Sequence, residues 1–385
     1  MLFQYSAMAF MLKTNPQFRL STNALTKRFE FINYRMTTIP ITYDLLSSIE
    51  PRKWLRNTES GGEITSVSFD DSGELCLASS TDDSLKLYNC VTGKFIKELA
   101  SKKYGAHLGR FSHHSNSLIH ASTKEDDTIR YLDVVTNRYL RYFTGHKQAV
   151  TSLDVSPSDE IFLSASMDNT IRLWDFRSPN CQGLLNVSSP VVAAFDATGL
   201  IFASVSERKY KISLYNIKTF DSRPFQEIPL TFLPPHVSIS NIEFSTDGRY
   251  ILLTTGNDYH YVVDTYSGQE LLRVPARTNA KSASKSLSFY SSACMSPDSK
   301  YLFTANDEKH LAIYELPEMK SSNQHSDTWN MHELMAQVKD TIPSVPQSCI
   351  PVTQKVECPE VPSIVRFNPR HAQLVTAHSG VVFWA

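Results

Sequence analysis

Large apolar residues recur along the chain at the ends of short alternating segments, each followed at once by a polar turn. We call these residues anchors, and successive anchors are 42, 44, 40, 49, 51 and 72 residues apart. A second apolar position follows each anchor after 19, 21, 19, 20, 19, 19 and 17 residues. Two registers that recur together indicate an internal repeat, and the first three spacings match the ~40–45 residues of a four-stranded propeller blade. The anchors are Phe69, Phe111, Val155, Phe195, Phe244, Met295 and Phe367.

Each repeat unit predicts four short strands, because segments rich in Val, Ile, Phe and Tyr alternate with Asp, Ser, Asn and Gly turns. In unit three the four segments are VTSLDVSP, EIFLSAS, TIRLWD and CQGLLNV. We expect residues 349–352 to supply the outer strand of unit six. The pattern predicts an all-β protein, a seven-bladed β-propeller over residues 40–385.

The seventh unit reaches Ala385 after its third strand, so it needs an outer strand from elsewhere. The segment from Ser48 to Leu55 precedes unit one and is the expected donor. We expect it to pair onto the last blade, with Lys53, Trp54 and Leu55 as the closing residues. This pairing closes the ring and leaves neither terminal blade with a free edge.

Two segments depart from the repeat. Residues 1–35 hold five basic residues and one acidic residue, a bias that resembles a mitochondrial transit peptide. The alternative is a disordered tail, or an untranslated stretch upstream of a start at Met36. Residues 317–346 form an insertion in unit six that we expect to be a mobile loop. Within it, residues 329–339 have the apolar spacing of a short amphipathic helix that could dock on the propeller or on a partner.

Composition narrows the function further. The formal net charge is −1, so there is no overall attraction to nucleic acids or membranes. No apolar stretch approaches the ~18 residues that span a bilayer. The six cysteines show no zinc-like spacing, the pair His113-His114 has no further ligand at a suitable spacing, and no glycine-rich phosphate loop is present. We therefore expect a soluble intracellular protein without a metal or a cofactor.

Unit three carries a recognisable signature. Gly145-His146 precede its first strand and Trp174-Asp175 end its third, which matches the Gly-His…Trp-Asp pattern of WD repeats. Longer stretches, densest in units two to four, resemble the WD-repeat subunit shared by the COMPASS histone methyltransferase and, in fungi, by the cleavage and polyadenylation factor. The resemblance runs from about residue 40 to the end and is thin between 317 and 360. Those stretches are SKKYGAHLGRF, DDTIRYLD, NRYLRYFTGH, NTIRLWDFRSPNCQG and FDATGLIFA.

This resemblance implies a nuclear, non-catalytic adaptor that supports methylation of histone H3 on lysine four and links transcription to RNA 3′-end formation. The implied partners are the catalytic methyltransferase subunit, subunits of the cleavage and polyadenylation factor, and the phosphorylated tail of RNA polymerase II. The implied state is a monomer within a larger complex. Two alternatives stay open, namely a generic adaptor such as a ubiquitin-ligase substrate receptor, and a propeller hydrolase with a pocket in the central channel.

Unit three also holds the residue types of a nucleophilic triad, which are His146, Asp168 and a serine, Ser164 or Ser166. In WD repeats, the equivalent residues and the Trp of Trp-Asp instead form a hydrogen-bonded network within a blade. We interpret His146, Ser164, Asp168 and Trp174 as such a structural network, and we expect the other blades to rely more on packing. No G-x-S-x-G elbow exposes a serine. Apolar residues at the inner strand starts predict a packed interior rather than a catalytic pocket, and these are Ile64, Val150, Val191 and Ile239.

Basic residues cluster in the loops that join units and in the matching inner turns of units two and three. Such a cluster could pair with the phosphates of a peptide, and the alternative is ordinary solvated lysines. Arg130 and Arg172, in matching third strands, are expected to make contacts between blades or at the surface. The loop FRSPNCQG on the opposite face is a candidate docking point. The candidate partner surface comprises Lys102, Lys103, Tyr104, His107, Arg110, Lys124 and Lys147.

Overall fold

Alternating apolar segments joined by tight polar turns fold here into antiparallel sheets of four strands. The first strand is preceded by α1 (Tyr43–Ser47), a single helical turn that begins after Thr42. The Thr42 hydroxyl accepts a hydrogen bond from the Leu45 amide at 3.3 Å and so caps this turn. Strand β1 (Pro51–Arg56) follows the helix. The computed structural model describes residues 40–57, 61–206, 208–220, 223–235, 237–276, 292–305, 309–317 and 354–385.

The first four blades each use four consecutive strands. Blade 1 contains β2 (Ile64–Phe69), β3 (Leu75–Ser80), β4 (Ser84–Asn89) and β5 (Lys94–Ala100). Blade 2 contains β6 (His107–Phe111), β7 (Ser117–Ala121), β8 (Ile129–Asp133) and β9 (Arg138–Phe143). Blade 3 contains β10 (Val150–Val155), β11 (Ile161–Ser166), β12 (Thr170–Asp175) and β13 (Cys181–Asn186). Blade 4 contains β14 (Val191–Phe195), β15 (Ile201–Ser206), β16 (Lys211–Asn216) and β17 (Gln226–Pro229).

The remaining sheets complete a ring of seven within the described part of the chain. Blade 5 contains β18 (Ile239–Phe244), β19 (Tyr250–Thr255), β20 (Tyr259–Asp264) and β21 (Glu270–Pro275). Blade 6 contains β22 (Ala293–Met295), β23 (Tyr301–Ala305), β24 (His310–Glu315) and β25 (Gln354–Glu357). Blade 7 contains β26 (Ile364–Phe367), β27 (Leu374–Ala377), β28 (Gly380–Trp384) and, from the other end of the sequence, β1. The prediction of an all-β, seven-bladed propeller is confirmed.

The closing strand lies where the sequence predicts it. Strand β1 pairs antiparallel with β28, and Lys53, Trp54 and Leu55 lie opposite Phe383, Val382 and Val381. Close approach depends on Gly380, because a Cβ there would lie 2.5 Å from the carbonyl oxygen of Leu55. The first strand of the fold thus completes its last sheet, and hydrogen bonds close the ring.

The apolar core is divided among the interfaces between neighbouring blades. Between blades 2 and 3, the ring of Phe143 meets Phe162 at 4.8 Å and Trp174 at 5.6 Å, both edge to face. Trp174, the last residue but one of the third strand of blade 3, and Trp384, which ends that of blade 7, have no exposed surface. The anchor Phe111 and the second anchor Leu132 of blade 2 pack against blade 1, as Trp174 of blade 3 packs against blade 2, which explains why both positions recur in the sequence.

One predicted strand lies elsewhere in the structure. The outer strand of blade 6 is β25 (Gln354–Glu357), not residues 349–352. That prediction placed Pro351 in the strand, and proline cannot donate a backbone hydrogen bond to a strand ladder. The basic extension 1–35, the candidate helix at 329–339 and the insertion after residue 317 lie outside the described residues. Within the described ranges, no helix is long and apolar enough to cross a membrane.

Candidate protein-binding site

Strand direction gives the propeller two distinct faces. The loops that join blades and the turns between second and third strands lie on one face, which we call the upper face. The turns between first and second strands, and between third and fourth strands, lie on the opposite, lower face. Every candidate residue of the sequence analysis can be assigned to one of these faces, to a blade interior or to the central channel.

The predicted polar residues of blade 3 are joined by hydrogen bonds. The indole Nε1 of Trp174 donates to the hydroxyl of Ser164 at 2.8 Å. The same hydroxyl lies 2.7 Å from Nε2 of His146, and Nδ1 of His146 lies 3.0 Å from the carboxylate of Asp168. Asp168 also accepts hydrogen bonds from the Thr170 hydroxyl and the Lys147 amide, at 2.6 and 3.0 Å. The chain of bonds ties the loop before the blade, its second strand and its third strand together.

This arrangement has the connectivity of a catalytic triad but not its accessibility. Ser164 has no exposed surface, and the His146 side chain is 1% exposed, so a substrate cannot reach either. Burial opposes ionisation of Asp168, but the bonds from Thr170, Lys147 and His146 outweigh it and lower the pKa of the carboxyl to about 2. Burial lowers the pKa of His146 despite the neighbouring Asp168. The four residues act as an internal clamp that fixes the upper turn.

The same turn in blade 2 is held by an ion pair. The guanidinium of Arg130 donates to both carboxylate oxygens of Asp126, at 2.8 and 2.9 Å, and also contacts the Ser122 hydroxyl. Arg130 is 2% exposed, and its guanidinium carbon lies 3.7 Å from the centre of the Tyr104 ring. The prediction that Arg130 contacts another blade or the surface is therefore wrong, because Arg130 balances a carboxylate of its own blade.

Blade 1 follows the same plan with a lysine. Lys86 lies at the position of Arg130 and binds Asp82 at 2.8 Å, and its ammonium group also contacts the Asn57 side chain. The Asp82 carboxylate accepts a hydrogen bond from the Ser84 amide at 3.1 Å, as Asp168 does from Thr170. Blades 1 and 2 thus have buried polar networks of their own, which corrects the expectation that blades without the full blade 3 set rely on packing.

Four lysines of the candidate surface lie on the upper face. Lys102 and Lys103 precede β6, Lys124 follows β7, and Lys147 precedes β10; all four are exposed. The Lys124 amide donates to the carbonyl of Tyr104 at 2.9 Å, which holds the loops of Lys103 and Lys124 side by side. Lys124 forms an ion pair with Asp83 of blade 1, so its charge is already balanced.

Of the other three candidates, Tyr104 borders this surface, since the centre of its ring lies 3.7 Å from the guanidinium carbon of Arg130 and 5.0 Å from the Lys103 ammonium nitrogen. His107 and Arg110 do not share it. His107 is largely buried, and burial together with the charge of Arg110 lowers its pKa to about 4, so it is neutral at physiological pH. Arg110 lines the central channel. Sequence proximity to the lysine loops does not place His107 and Arg110 on the upper face, because both lie within β6, the innermost strand of blade 2.

The loop FRSPNCQG follows the Trp-Asp dipeptide on the lower face. Asp175 accepts a 2.7 Å hydrogen bond from the Arg177 amide and pairs with its guanidinium at 2.6 Å. The Ser178 amide donates to the Asp175 carbonyl at 3.0 Å, which closes the turn. The Arg177 side chain is 75% exposed. The turn is internally satisfied and presents one arginine to solvent.

The central channel contradicts the predicted packed interior. The strand-start residues Ile64 and Val150 are buried as expected. The channel nevertheless contains a cavity of about 260 Å³ lined by Arg110, Asp154, Glu243 and Arg366, together with small polar residues such as Ser152. The four charged residues occupy one register, since each immediately precedes an anchor. The pattern of apolar positions and strand starts does not show this regularity, because it concerns the charged residue next to each of four anchors.

The structure is a ring of four-stranded repeats, and blade 3 contains a buried clamp of His, Ser, Asp and Trp. These two features define a WD-repeat propeller. Residues 52–89 and 137–175 match the family described as "WD domain, G-beta repeat".

Similarity to curated relatives extends over most of the chain. The chain is 71% identical to "Set1 complex component swd2" of Schizosaccharomyces pombe over 91% of its length and 100% of that protein. It is 33% identical to "COMPASS component SWD2" of Saccharomyces cerevisiae, over 91% of the chain and 99% of that protein. It is 35% identical to "WD repeat-containing protein 82" of Drosophila melanogaster, over 85% and 91%. The chain belongs to the Swd2 family of WD-repeat proteins.

Proposed function

We propose that this chain is a non-catalytic scaffold subunit of a Set1-type (COMPASS) histone methyltransferase complex in the nucleus. The observation that carries the proposal is the match to the Schizosaccharomyces pombe Set1 complex component, which is 71% identical over that protein's full length. The structure is compatible with a scaffold, because the triad-like residues of blade 3 serve the blade rather than a substrate. A ring of this kind would present loops to short segments of other subunits and raise their effective concentration.

We further propose that the same propeller joins the mRNA 3′-end cleavage and polyadenylation machinery, and so links histone H3 lysine-4 methylation with transcription. The support is the resemblance carried by the stretches of units two to four. The two assemblies would use the propeller as a common adaptor, either on different faces or in turn.

The upper-face lysines are the proposed contact for the phosphorylated tail of RNA polymerase II. Lys102, Lys103 and Lys147 are exposed, and among the described residues none of the three forms an ion pair within 4.0 Å. An unbalanced lysine is available to a phosphate, whereas Lys124 is engaged with Asp83. The binding surface is therefore narrower than the sequence suggests, with three lysines at its centre.

Affinity purification tests the assembly. The full chain, tagged and expressed in its own cells, is expected to recover a methyltransferase catalytic subunit and, separately, cleavage and polyadenylation subunits. Recovery of the first without the second would leave the methyltransferase role and remove the 3′-end role. Recovery of a ubiquitin ligase in place of both would replace the proposal by the generic adaptor.

A matched lysine exchange tests the phosphopeptide surface. Replacing Lys102, Lys103 and Lys147 by Ala is expected to weaken binding of a phosphorylated polymerase-tail peptide by about tenfold, since exposed charge pairs contribute roughly 0.5 kcal/mol each. Fluorescence anisotropy at increasing salt should show a flatter dependence. The control removes three exposed lysines at lower-face positions and should bind normally: Lys94, Lys218 and Lys300. Equal loss in both variants would mean that only net charge matters and would reject the surface.

A further inference from the structure

The central channel contains charge that the proposed scaffold function does not use. The residue before the anchor occupies the same position in each innermost strand. Around the ring from blade 1 to blade 7, these residues are Ser68, Arg110, Asp154, Ala194, Glu243, Cys294 and Arg366. Two guanidinium groups and two carboxylates therefore occupy equivalent positions in four different blades.

Three of the four charged side chains are bonded to other blades of the ring. The Asp154 carboxylate of blade 3 accepts a hydrogen bond from the Phe195 amide of blade 4 at 2.9 Å. Glu243 of blade 5 accepts from the Met295 amide of blade 6 at 3.2 Å and from Arg366 of blade 7 at 2.5 Å. These bonds give Asp154, Glu243 and Arg366 a structural role in the ring.

Arg110 has no such bond. Within the described residues, its guanidinium donates one hydrogen bond, to the carbonyl of the preceding Gly109 at 3.1 Å, and it forms no ion pair within 4.0 Å. A guanidinium has five donors, so most of those of Arg110 are left to the cavity. The register of β6 shifts between His107 and Arg110, and Leu108 has a φ of 54°, so a bulge at Leu108 and Gly109 sets the direction of this side chain.

The electrostatic surroundings of Arg110 are unfavourable to its charge. Burial and then repulsion by Arg366 lower its pKa, to about 10, although Asp154 and Glu243 act in the opposite sense. Burial raises the pKa of Asp154, because Arg110 and the backbone amides do not fully offset the loss of solvent. Asp196, the other carboxylate of the lining, is occupied by its own turn through the Thr198 hydroxyl and the Ile201 amide. Within the described residues no carboxylate pairs directly with Arg110, so an added carboxylate could accept hydrogen bonds from its remaining donors.

The cavity limits what the anion can be. Its volume is about 260 Å³, and its lining includes apolar residues that are at least partly exposed, such as Pro157, Ala194 and Ala197. A planar carboxylate matches the fork of a guanidinium in a bidentate pair. A phosphate dianion matches less well, because it would bring two charges close to Asp154 and Glu243.

We propose that the central channel is a binding site for a carboxylate on a short apolar stem, held by the guanidinium of Arg110 and attracted also by Arg366. This site goes beyond the proposed scaffold function and is separate from the upper-face lysines. Its lining reaches the lower face through Pro157, Asp196 and Thr246. The ligand is a small organic acid or the acidic side chain of a docked protein segment.

Butyrate is a suitable probe, since it is a carboxylate with a short apolar stem. In the isolated full chain with ¹⁵N-labelled arginine, added butyrate at constant ionic strength is expected to shift the Nε–Hε signal of Arg110 saturably, with a dissociation constant of about 1–10 mM. The Arg110→Gln variant identifies that signal by its loss. Absence of a saturable shift in the unmutated chain would overturn the proposal, and so would tighter binding of inorganic phosphate than of butyrate.

Two variants separate the site from a general loss of charge. Arg110→Lys keeps the charge but loses the fork and should bind at least about tenfold more weakly by calorimetry. Arg138→Gln removes an exposed arginine of β9 and should bind butyrate normally. Equal binding by Arg110→Lys and the unmutated chain would contradict the bidentate pair. This readout does not depend on the methyltransferase complex, so its failure and that of the proposed function are distinguishable.

A final measurement identifies the source of the carboxylate. The Arg110 signal is followed with butyrate in the purified chain and again in the assembled complex. If butyrate no longer shifts it in the complex, a partner's acidic side chain fills the channel. If the shift persists, the ligand is a free organic acid. Both results support a carboxylate site.

Discussion

Blades 2 and 3 hold the same turn by chemically different means. In each, an aspartate between the second and third strands accepts a hydrogen bond from an amide two residues further on, at 3.1 Å for Asp126 and 3.0 Å for Asp168. In blade 2 a permanently charged Arg130 completes the site, and in blade 3 a neutral His146 does so. The recurrent element is therefore the turn carboxylate, while the group that balances it varies.

The exposure of the two pairs differs in an instructive way. The side chain of Asp126 is 44% exposed and that of Arg130 only 3%, so blade 2 buries the cation. The side chain of Asp168 is 7% exposed, so blade 3 buries the anion and surrounds it with hydrogen-bond donors. The two designs should respond differently when the carboxylate is removed, because they leave different groups behind.

Removal of the blade 2 carboxylate should have the largest effect. Asp126→Ala leaves the guanidinium of Arg130 buried without its counter-charge, which we expect to cost about 3 kcal/mol of the free energy of unfolding. Urea-induced unfolding measures the loss. The double variant Asp126→Ala/Arg130→Met removes the stranded charge and should recover most of it. If the double variant is no more stable than Asp126→Ala, the stranded charge is not the cause.

Removal of the blade 3 carboxylate should have a smaller effect. Asp168→Ala deletes the acceptor for Thr170, the Lys147 amide and His146, but it strands no charge. We expect a loss of about 2 kcal/mol in the same unfolding experiment. Asp168→Asn, which keeps one acceptor oxygen, should have a free energy of unfolding between those of Asp168→Ala and the unmutated chain. A larger loss for Asp168→Ala than for Asp126→Ala would reverse the comparison.

The sequence specifies the repeat well because apolar burial is local and periodic. The strands expected in unit three agree with β10 to β13 within two residues at each end, and the closing segment before unit one pairs as predicted. The outer strand of blade 6 was misplaced because the insertion interrupts the period, and no periodic apolar position marks where the chain rejoins the sheet.

The polar sites were harder to predict, because they depend on partners distant in sequence. Lys124 is balanced by Asp83, 41 residues earlier, and Arg366 by Glu243, 123 residues earlier. Arg110 follows the lysine loop in sequence yet points into the channel, because the bulge in β6 redirects it. The four charged residues of the channel do share one position in the sequence repeat, immediately before an anchor.

Acid should distinguish the two blades, because histidine titrates and arginine does not. The folded pKa of His146 is lowered by burial, so the unfolded chain binds a proton that the folded chain excludes. The free energy of unfolding therefore decreases as pH falls below about 6.5, the pKa of an unfolded histidine. The decrease is up to about 1.4 kcal/mol per pH unit for each such histidine. Urea midpoints measured at about pH 7.5 and 5 should therefore fall less in His146→Gln than in the unmutated chain.

The same experiment contains its own background and control. His120 and His107, with folded pKa values of about 4, and His260, at about 3, are buried as well, so the unmutated slope is the sum of several groups. Arg130→Gln should be less stable at both pH values and should lose only the small part of the slope that its charge adds through His120. A slope that falls as much in Arg130→Gln as in His146→Gln would show that His146 is not a main source of the acid response.

The indole of blade 3 should contribute the smallest effect. Trp174→Phe removes the Nε1–H that donates to Ser164 at 2.8 Å, but the Ser164 hydroxyl keeps its contact with His146 at 2.7 Å, so no buried group is left unsatisfied. We expect a loss of about 1 kcal/mol by urea unfolding, the value of one hydrogen bond. In blade 7, Trp384→Phe removes the matching bond, which the Trp384 indole donates to the Thr376 hydroxyl at 2.9 Å. If Trp384→Phe lowers the free energy of unfolding distinctly more than Trp174→Phe, the His146 contact compensates for the lost bond in blade 3. Equal decreases would assign the indole contribution to the hydrogen bond alone.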